Sequence, residues 1–351
     1  MSETIRRWLK HANWLRLARG ALAVPLLAAA AFYGWTALSN AQGPVHLQVY
    51  AFSTQEEALS QGIYPAFERA WEAETGRDLT IEGVFGASAT LAGQINLGAP
   101  ADVAIFSNAQ HVTHLKVGRR VRGNTEPVAV AQTPMVIVTR PGNPWRIDSF
   151  EDLAQPGLRL LHADPRSSGA GQWAVLAESG SALLETGDPA AAGDRLMSIW
   201  QNVHLLGTSA RSAMALFELG AADAFVTYEQ DALLALERGT DLHVVVPQRT
   251  IIAQHVAVLV DDNIKLYERA AAQAFVQYLA GPEAREIWVQ YHIRPATNGG
   301  EAFAPLAQPF TVDDLGGWST AYAELIEGLW MAEIEPLVEL RAGPSLLDLG
   351  E

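Results

Sequence analysis

Val45-His46-Leu47-Gln48-Val49 opens the stretch whose rhythm decides the fold. Val45, Leu47 and Val49 alternate with polar residues, the period of a strand with one buried face. Ile63, Phe67 and Trp71 then recur every fourth residue and Gly76 follows, which predicts an amphipathic helix closed by a glycine C-cap. Leu79, Ile81 and Phe85 alternate again, residues 91–97 read as helix, and residues 101–106 as a short buried strand. A β-α-β-α-β order of this kind builds a parallel sheet with helices on its faces. The fold class is α/β.

Working outward, a second set follows. Strands are expected at residues 135–139, 158–162, 224–228, 242–246 and 256–260, and helices at 172–178, 195–202, 211–219 and 230–236. Residues 180–193, rich in Gly, Ala, Asp and Pro, show no periodicity and read as a loop. Beyond residue 260 the pattern is helical almost to the end, most clearly at 266–279 and 283–291. Two α/β halves explain 351 residues better than one sheet. Ligands in such folds bind where loops leave the carboxyl ends of strands, here in a cleft between the halves.

Composition removes whole classes of function. The chain has no cysteine, which excludes disulfides, thiolate metal sites and cysteine nucleophiles. Residues 1–41 carry Arg6, Arg7, Lys10, Arg16 and Arg19 against Glu3, and eighteen uncharged residues, 21–38, precede the small polar exit Ser39-Asn40-Ala41. This is an export address, either a signal peptide cleaved after Ala41 or an uncleaved membrane anchor. Arg6-Arg7 is followed by residues that match a twin-arginine signal poorly. Either way the body is exported to the periplasm. That body holds 19 basic and 38 acidic residues and repels nucleic acid.

Four hydroxyl-rich loops follow strands: Tyr50-Ala51-Phe52-Ser53-Thr54, Gly86-Ala87-Ser88-Ala89-Thr90, Arg166-Ser167-Ser168-Gly169-Ala170-Gly171 and Gly207-Thr208-Ser209-Ala210-Arg211-Ser212. The last three run straight into helical patterns. Helix N-termini offer unpaired N–H groups and a partial positive charge, so several facing one cleft would hold an anion without a cationic side chain. The plainer reading makes these serines and threonines ordinary N-caps. None of the loops is a phosphate-binding P-loop, a dinucleotide fingerprint or a nucleophile elbow. His111 and His114, three apart without a third ligand, read as a solvated helix face rather than a metal site. Asp261-Asp262 and Asp313-Asp314 read as turn or cap pairs, and Trp173, Trp200, Trp288 and Trp318 as core or surface anchors. With no paired acid and base near the loops, the chain is not expected to be an enzyme or to need a cofactor.

Residues 45–335 resemble the sulfate/thiosulfate-binding proteins of bacterial ABC importers, a branch of the type 2 periplasmic binding proteins. The resemblance is carried by Asp164-Pro165-Arg166-Ser167-Ser168-Gly169-Ala170-Gly171-Gln172-Trp173, Ala210-Arg211-Ser212, Tyr228-Glu229, residues 278–284, Ile293-Arg294-Pro295 and residues 310–318 ending in Gly316-Gly317-Trp318. It implies two lobes, each a mainly parallel sheet flanked by helices: residues 44–132 and 253–351 (the latter with C-terminal helices) for one, 133–252 for the other. The chain would cross between them near residues 131–135 and 251–255. It implies a ligand set of backbone N–H groups and hydroxyls at Ser53, Ser88, Ser168, Gly169, Ala170, Ala210 and Tyr228, with Arg211 supporting its loop. Ser53 departs from the family's usual Asp, Ala170 from a usual Gly, and Tyr228 from a tryptophan. The second loop and Gly98-Ala99-Pro100-Ala101-Asp102 are similar to molybdate-binding relatives. The implied function is capture of sulfate, thiosulfate or a related tetrahedral oxyanion by a monomer and its delivery to inner-membrane permease subunits. A molybdate/tungstate receptor and a membrane-anchored sensor lobe are the alternatives.

Overall fold

The computed structural model describes residues 43–297 and 302–342. The export segment, residues 1–41, lies outside the described residues. In chain order the elements are β1 (Val45–Phe52), α1 (Tyr64–Thr75), β2 (Leu79–Gly86), α2 (Ser88–Asn96), β3 (Val103–Phe106), α3 (Gln110–Val117), β4 (Val128–Thr139), β5 (Leu160–Ala163), α4 (Gly169–Thr186), α5 (Pro189–Trp200), β6 (Val203–Gly207), α6 (Ala210–Glu218), β7 (Ala224–Tyr228), α7 (Glu229–Glu237), β8 (His243–Val245), β9 (Arg249–Leu259), α8 (Arg269–Leu279), α9 (Pro282–Gln290), β10 (Arg294–Pro295), β11 (Gln308–Phe310), α10 (Gly317–Ala321) and α11 (Glu335–Ala342).

The opening rhythm becomes structure as read. Ile63, Phe67 and Trp71 are buried along one face leading into and through α1. The helix stops at Gly76, whose left-handed φ of 67° returns its N–H to the Glu72 carbonyl. β1 lies between β2 and β3, parallel to both. A second parallel trio has β5 between β6 and β7. Two long strands join the trios, so the whole is a curled mixed sheet of two lobes. β4 runs antiparallel to β9 over Val128–Pro134 and antiparallel to β7 from Met135 to Thr139. The change of partner falls at Pro134, a residue with no N–H to give to a ladder. The two crossing stretches also pair with each other, Ala131 with His255 and Pro134 with Ile252.

Three expectations are corrected. Residues 180–193 are not a loop: α4 continues to Thr186 and α5 begins at Pro189. Gly180 is a packing glycine, since a Cβ there would stand 3.0 Å from both Phe310 and Leu315. The true break is Gly187-Asp188, with Gly187 left-handed at φ 67° and Asp188 accepting from the Ala190 N–H ahead of a first-turn proline. Beyond residue 260 the chain is not purely helical, because β10 adds to β4 and β11 to β9. His111 and His114 share α3, but His111 is fully buried rather than solvated.

From α10 a π-helical stretch, Tyr322–Ile334, leads into α11, and this arm packs on the second trio's helices. Trp330 meets Trp200 edge-on at 5.3 Å between centroids, and Arg341 donates to the Trp200 and Gln201 carbonyls. Both parallel trios direct their carboxyl ends at one cleft.

Candidate functional site

Each anticipated loop leaves the carboxyl end of a parallel strand, and the structure brings all seven anticipated ligand residues to one small pocket. Ser53 follows β1 in a short 3₁₀ turn, and Ser88 opens α2 directly after β2. Ser168 precedes α4, whose first two residues are Gly169 and Ala170. Ala210 opens α6, and Tyr228 is the last residue of β7. Ala170 is absent from the positive-φ residues, so its methyl group costs no backbone strain there.

The N-cap reading holds for one loop. Ser209 forms a reciprocal capping box with Ser212. Ser168 occupies the N-cap position of α4 without using its side chain as a cap, and Ser88 is already inside α2, behind Ala87. In α4 the first intrahelical bond runs from Gln172 N to Ser168 O, which leaves the N–H groups of Gly169 and Ala170 without helical acceptors. Three helix starts and the β1 turn therefore converge on the pocket, and no carboxylate or cationic side chain lines it.

The cleft is closed. The Ala89 N–H donates to the Ser167 carbonyl (3.0 Å), Asn108 Nδ2 to Gln172 Oε1 (2.9 Å), and Gln230 Nε2 to Thr54 Oγ1 (3.0 Å), each across the lobes. Tyr228 is wholly buried against the edges of Phe52 and His255. Burial pushes its phenol far above the ordinary tyrosine range, so it stays a neutral O–H.

Arg211 does more than support its own loop. Its Nη2 donates to the Ser53 carbonyl (2.8 Å) and to Glu57 Oε2 (2.6 Å), so the fourth loop grips the first across the cleft. Arg238 also pairs with Glu57. Burial pushes the Glu57 carboxyl up, but Arg211 and then Arg238 outweigh it and hold the pKa at about 2. The link is therefore complete above the ordinary value of 4.5 and is lost as pH falls toward 2. The guanidinium is partly solvated, which moderates its worth. Arg211→Ala is expected to weaken ligand affinity roughly five- to tenfold, and less in high salt. Titration at two ionic strengths checks this; an unchanged affinity at low salt would remove Arg211 from the closed state.

Two groups have roles here that the sequence did not show. His111 Nδ1 stands 2.9 Å from Ser88 Oγ, which also accepts from the Ser107 N–H at 3.1 Å. Burial, with His114 nearby, lowers the His111 pKa to about 3 and keeps the ring neutral. In the Nδ1–H tautomer Ser88 Oγ accepts twice and its own proton is free for the pocket. Ser107 itself lines the pocket. Its only sequence signal was a serine directly after a buried strand, with no second hydroxyl residue beside it. Among the described residues no cluster of His, Asp and Glu fits a metal ion.

A family model described as bacterial extracellular solute-binding protein matches residues 47–294. The chain belongs to the bacterial extracellular solute-binding proteins. The sulfate-binding protein of Synechococcus elongatus is 29% identical over 308 residues, covering 84% of this chain and 88% of that one. The sulfate-binding protein of Escherichia coli is 32% identical over 278 residues, covering 74% and 83%. The solved structure of the sulfate-binding protein SubI from Mycobacterium tuberculosis H37Rv superposes with a TM-score of 0.74 at 25% identity, over 80% of this chain and 99% of that one. The resemblance read from the loops is borne out, and with it the two-lobed periplasmic binding fold.

Proposed function

We propose that this solute-binding protein is an exported periplasmic receptor that closes on sulfate or thiosulfate and delivers it to the permease of an ABC importer, without catalysing a reaction. One observation carries the reading: Ser53, Ser88, Ser168, Gly169, Ala170, Ala210 and Tyr228 line a single closed pocket that offers hydrogen-bond donors and no carboxylate. Sulfate is a full dianion at neutral pH and presents only acceptors. Phosphate keeps a proton that wants an acceptor; the pocket's backbone N–H groups cannot supply one, which leaves only hydroxyls such as the Tyr228 phenol. Hydrogen bonds to charged groups contribute about 1.5–3 kcal/mol each, so seven sum to roughly 10–20 kcal/mol gross. Desolvating the dianion and ordering the closed cleft offset much of this, and a micromolar Kd needs only about 8 kcal/mol net.

Opening and closing would turn on the paired stretches at 131–135 and 251–255, with residues 133–252 and the C-terminal arm packed on them moving against residues 44–132 and the chain that follows residue 253. Calorimetric titration of the ligand-stripped protein with sulfate, thiosulfate, molybdate and phosphate tests the reading. Sulfate or thiosulfate is expected to bind at micromolar Kd or tighter and to displace molybdate. Molybdate winning would mean that Tyr228 and the second loop set specificity, and no heat from any of the four would overturn the receptor reading.

A further inference from the structure

Ser107 follows β3, and its backbone is held from both sides. Its N–H donates to Ser88 Oγ at 3.1 Å and its carbonyl accepts from Trp173 Nε1 at 2.8 Å. Its side chain points at the start of α4: a Cβ built on Gly169 would lie 1.7 Å from Ser107 Oγ. Ser107 is 1% exposed and its hydroxyl has no hydrogen-bond partner. The phenol of Tyr228, also fully buried, has none either. The two hydroxyls are near enough that Ser107 draws the Tyr228 pKa down against the larger upward push of burial. Buried hydroxyls are rarely left unpaired, and these two line one pocket.

We propose that Ser107 is a direct ligand contact, and that with Tyr228 it forms a hydroxyl pair against the bound oxyanion. This deepens the receptor reading and rests on it. Backbone N–H groups have fixed directions and only donate, whereas hydroxyls rotate to follow an oxygen and can also accept. The pair thus supplies adjustable contacts on the side of the pocket facing the first turn of α4. Glycine at 169 is what leaves room for it.

The test is titration of the full-length, ligand-stripped protein with sulfate, comparing wild type, Ser107→Ala, Tyr228→Phe and the double variant. Ser107→Ala is expected to raise the Kd about tenfold or more, with the melting temperature of the ligand-free protein unchanged. The double variant should lose less than the sum of the singles, since the two hydroxyls act on one ligand. If Ser107→Ala does not fold, Ser107→Cys carries the same test, because a thiol of similar shape is a poor donor. A folded Ser107 variant that binds sulfate within about twofold of a tight-binding wild type overturns this inference alone. That result would leave the hydroxyl a structural partner of Tyr228. A wild type that binds none of sulfate, thiosulfate, molybdate and phosphate overturns the receptor reading and this inference with it.

Discussion

Gly171→Ala is expected to lower the affinity for sulfate at least about a hundredfold, although residue 171 has no side chain to contribute. A Cβ there would stand 2.4 Å from the Ala163 carbonyl oxygen, 2.6 Å from Pro165 N and 2.7 Å from the Asp164 carbonyl carbon. All three are backbone atoms, so no side-chain rotation relieves the clash. Nor can that backbone retreat: Asp164 N donates to the Gly207 carbonyl (2.7 Å), and the Asp164 carbonyl accepts from Ser168 N (2.8 Å). The start of α4 must move instead, by about 1 Å, and it carries the N–H groups of Gly169 and Ala170 out of the pocket. Overpacking of this kind also costs about 1–3 kcal/mol of stability. Gly193→Ala, inside α5, is the control, because its Cβ would meet only Leu329 at an ordinary 3.4 Å. That variant should gain about 0.5–1 kcal/mol and bind normally. Wild-type affinity in Gly171→Ala would show that the first turn of α4 is not part of the binding site.

What the sequence made legible follows the same physics. Strand alternation at Val45, Leu47 and Val49 and the four-residue spacing of Ile63, Phe67 and Trp71 report burial of one face, which is a local pattern. Helix starts are local too, so the loops containing Ser88, Gly169 and Ala210 could be read before any coordinates. Gly180 misled because close packing against Phe310 and Leu315 is a long-range demand that looks, within its window, like a loop. The grip of Arg211 on Ser53 and Glu57 joins residues more than 150 positions apart, and spacing says nothing about it. His111 was hidden for the same reason, its partner Ser88 lying on a different helix. Ser107 escaped because the room it needs is provided by Gly169 from the opposite lobe, which spacing does not show.

The second large effect lies in the middle of α4. Glu178→Ala is expected to destabilise the protein by about 3–5 kcal/mol and lower its melting temperature on the order of 10 °C. Glu178 is fully buried and accepts from His162 Nε2 at 2.6 Å and Trp200 Nε1 at 2.9 Å, while His162 Nδ1 bonds the Leu161 carbonyl at 2.6 Å. Burial by itself would lower the His162 pKa; the Glu178 carboxylate and the Leu161 carbonyl outweigh it and raise the pKa above its ordinary 6.5. The stability gained from the raised value is complete below 6.5 and is lost as pH rises through the folded-state value. Melting curves should therefore show the largest gap between wild type and Glu178→Ala near pH 6, narrowing at alkaline pH. Replacing His162 by Leu and Glu178 by Met together should cost less than Glu178→Ala alone, because no buried charge is left unpaired. A double variant as unstable as the single one would mean that packing around Trp200, not the charge, holds the helix. Since α4 begins at the pocket with Gly169 and is anchored to β5 and α5 through Glu178, this ion pair fixes the line along which the helix presents its N–H groups. The Glu178→Ala protein should accordingly bind sulfate more weakly even at temperatures where it remains folded.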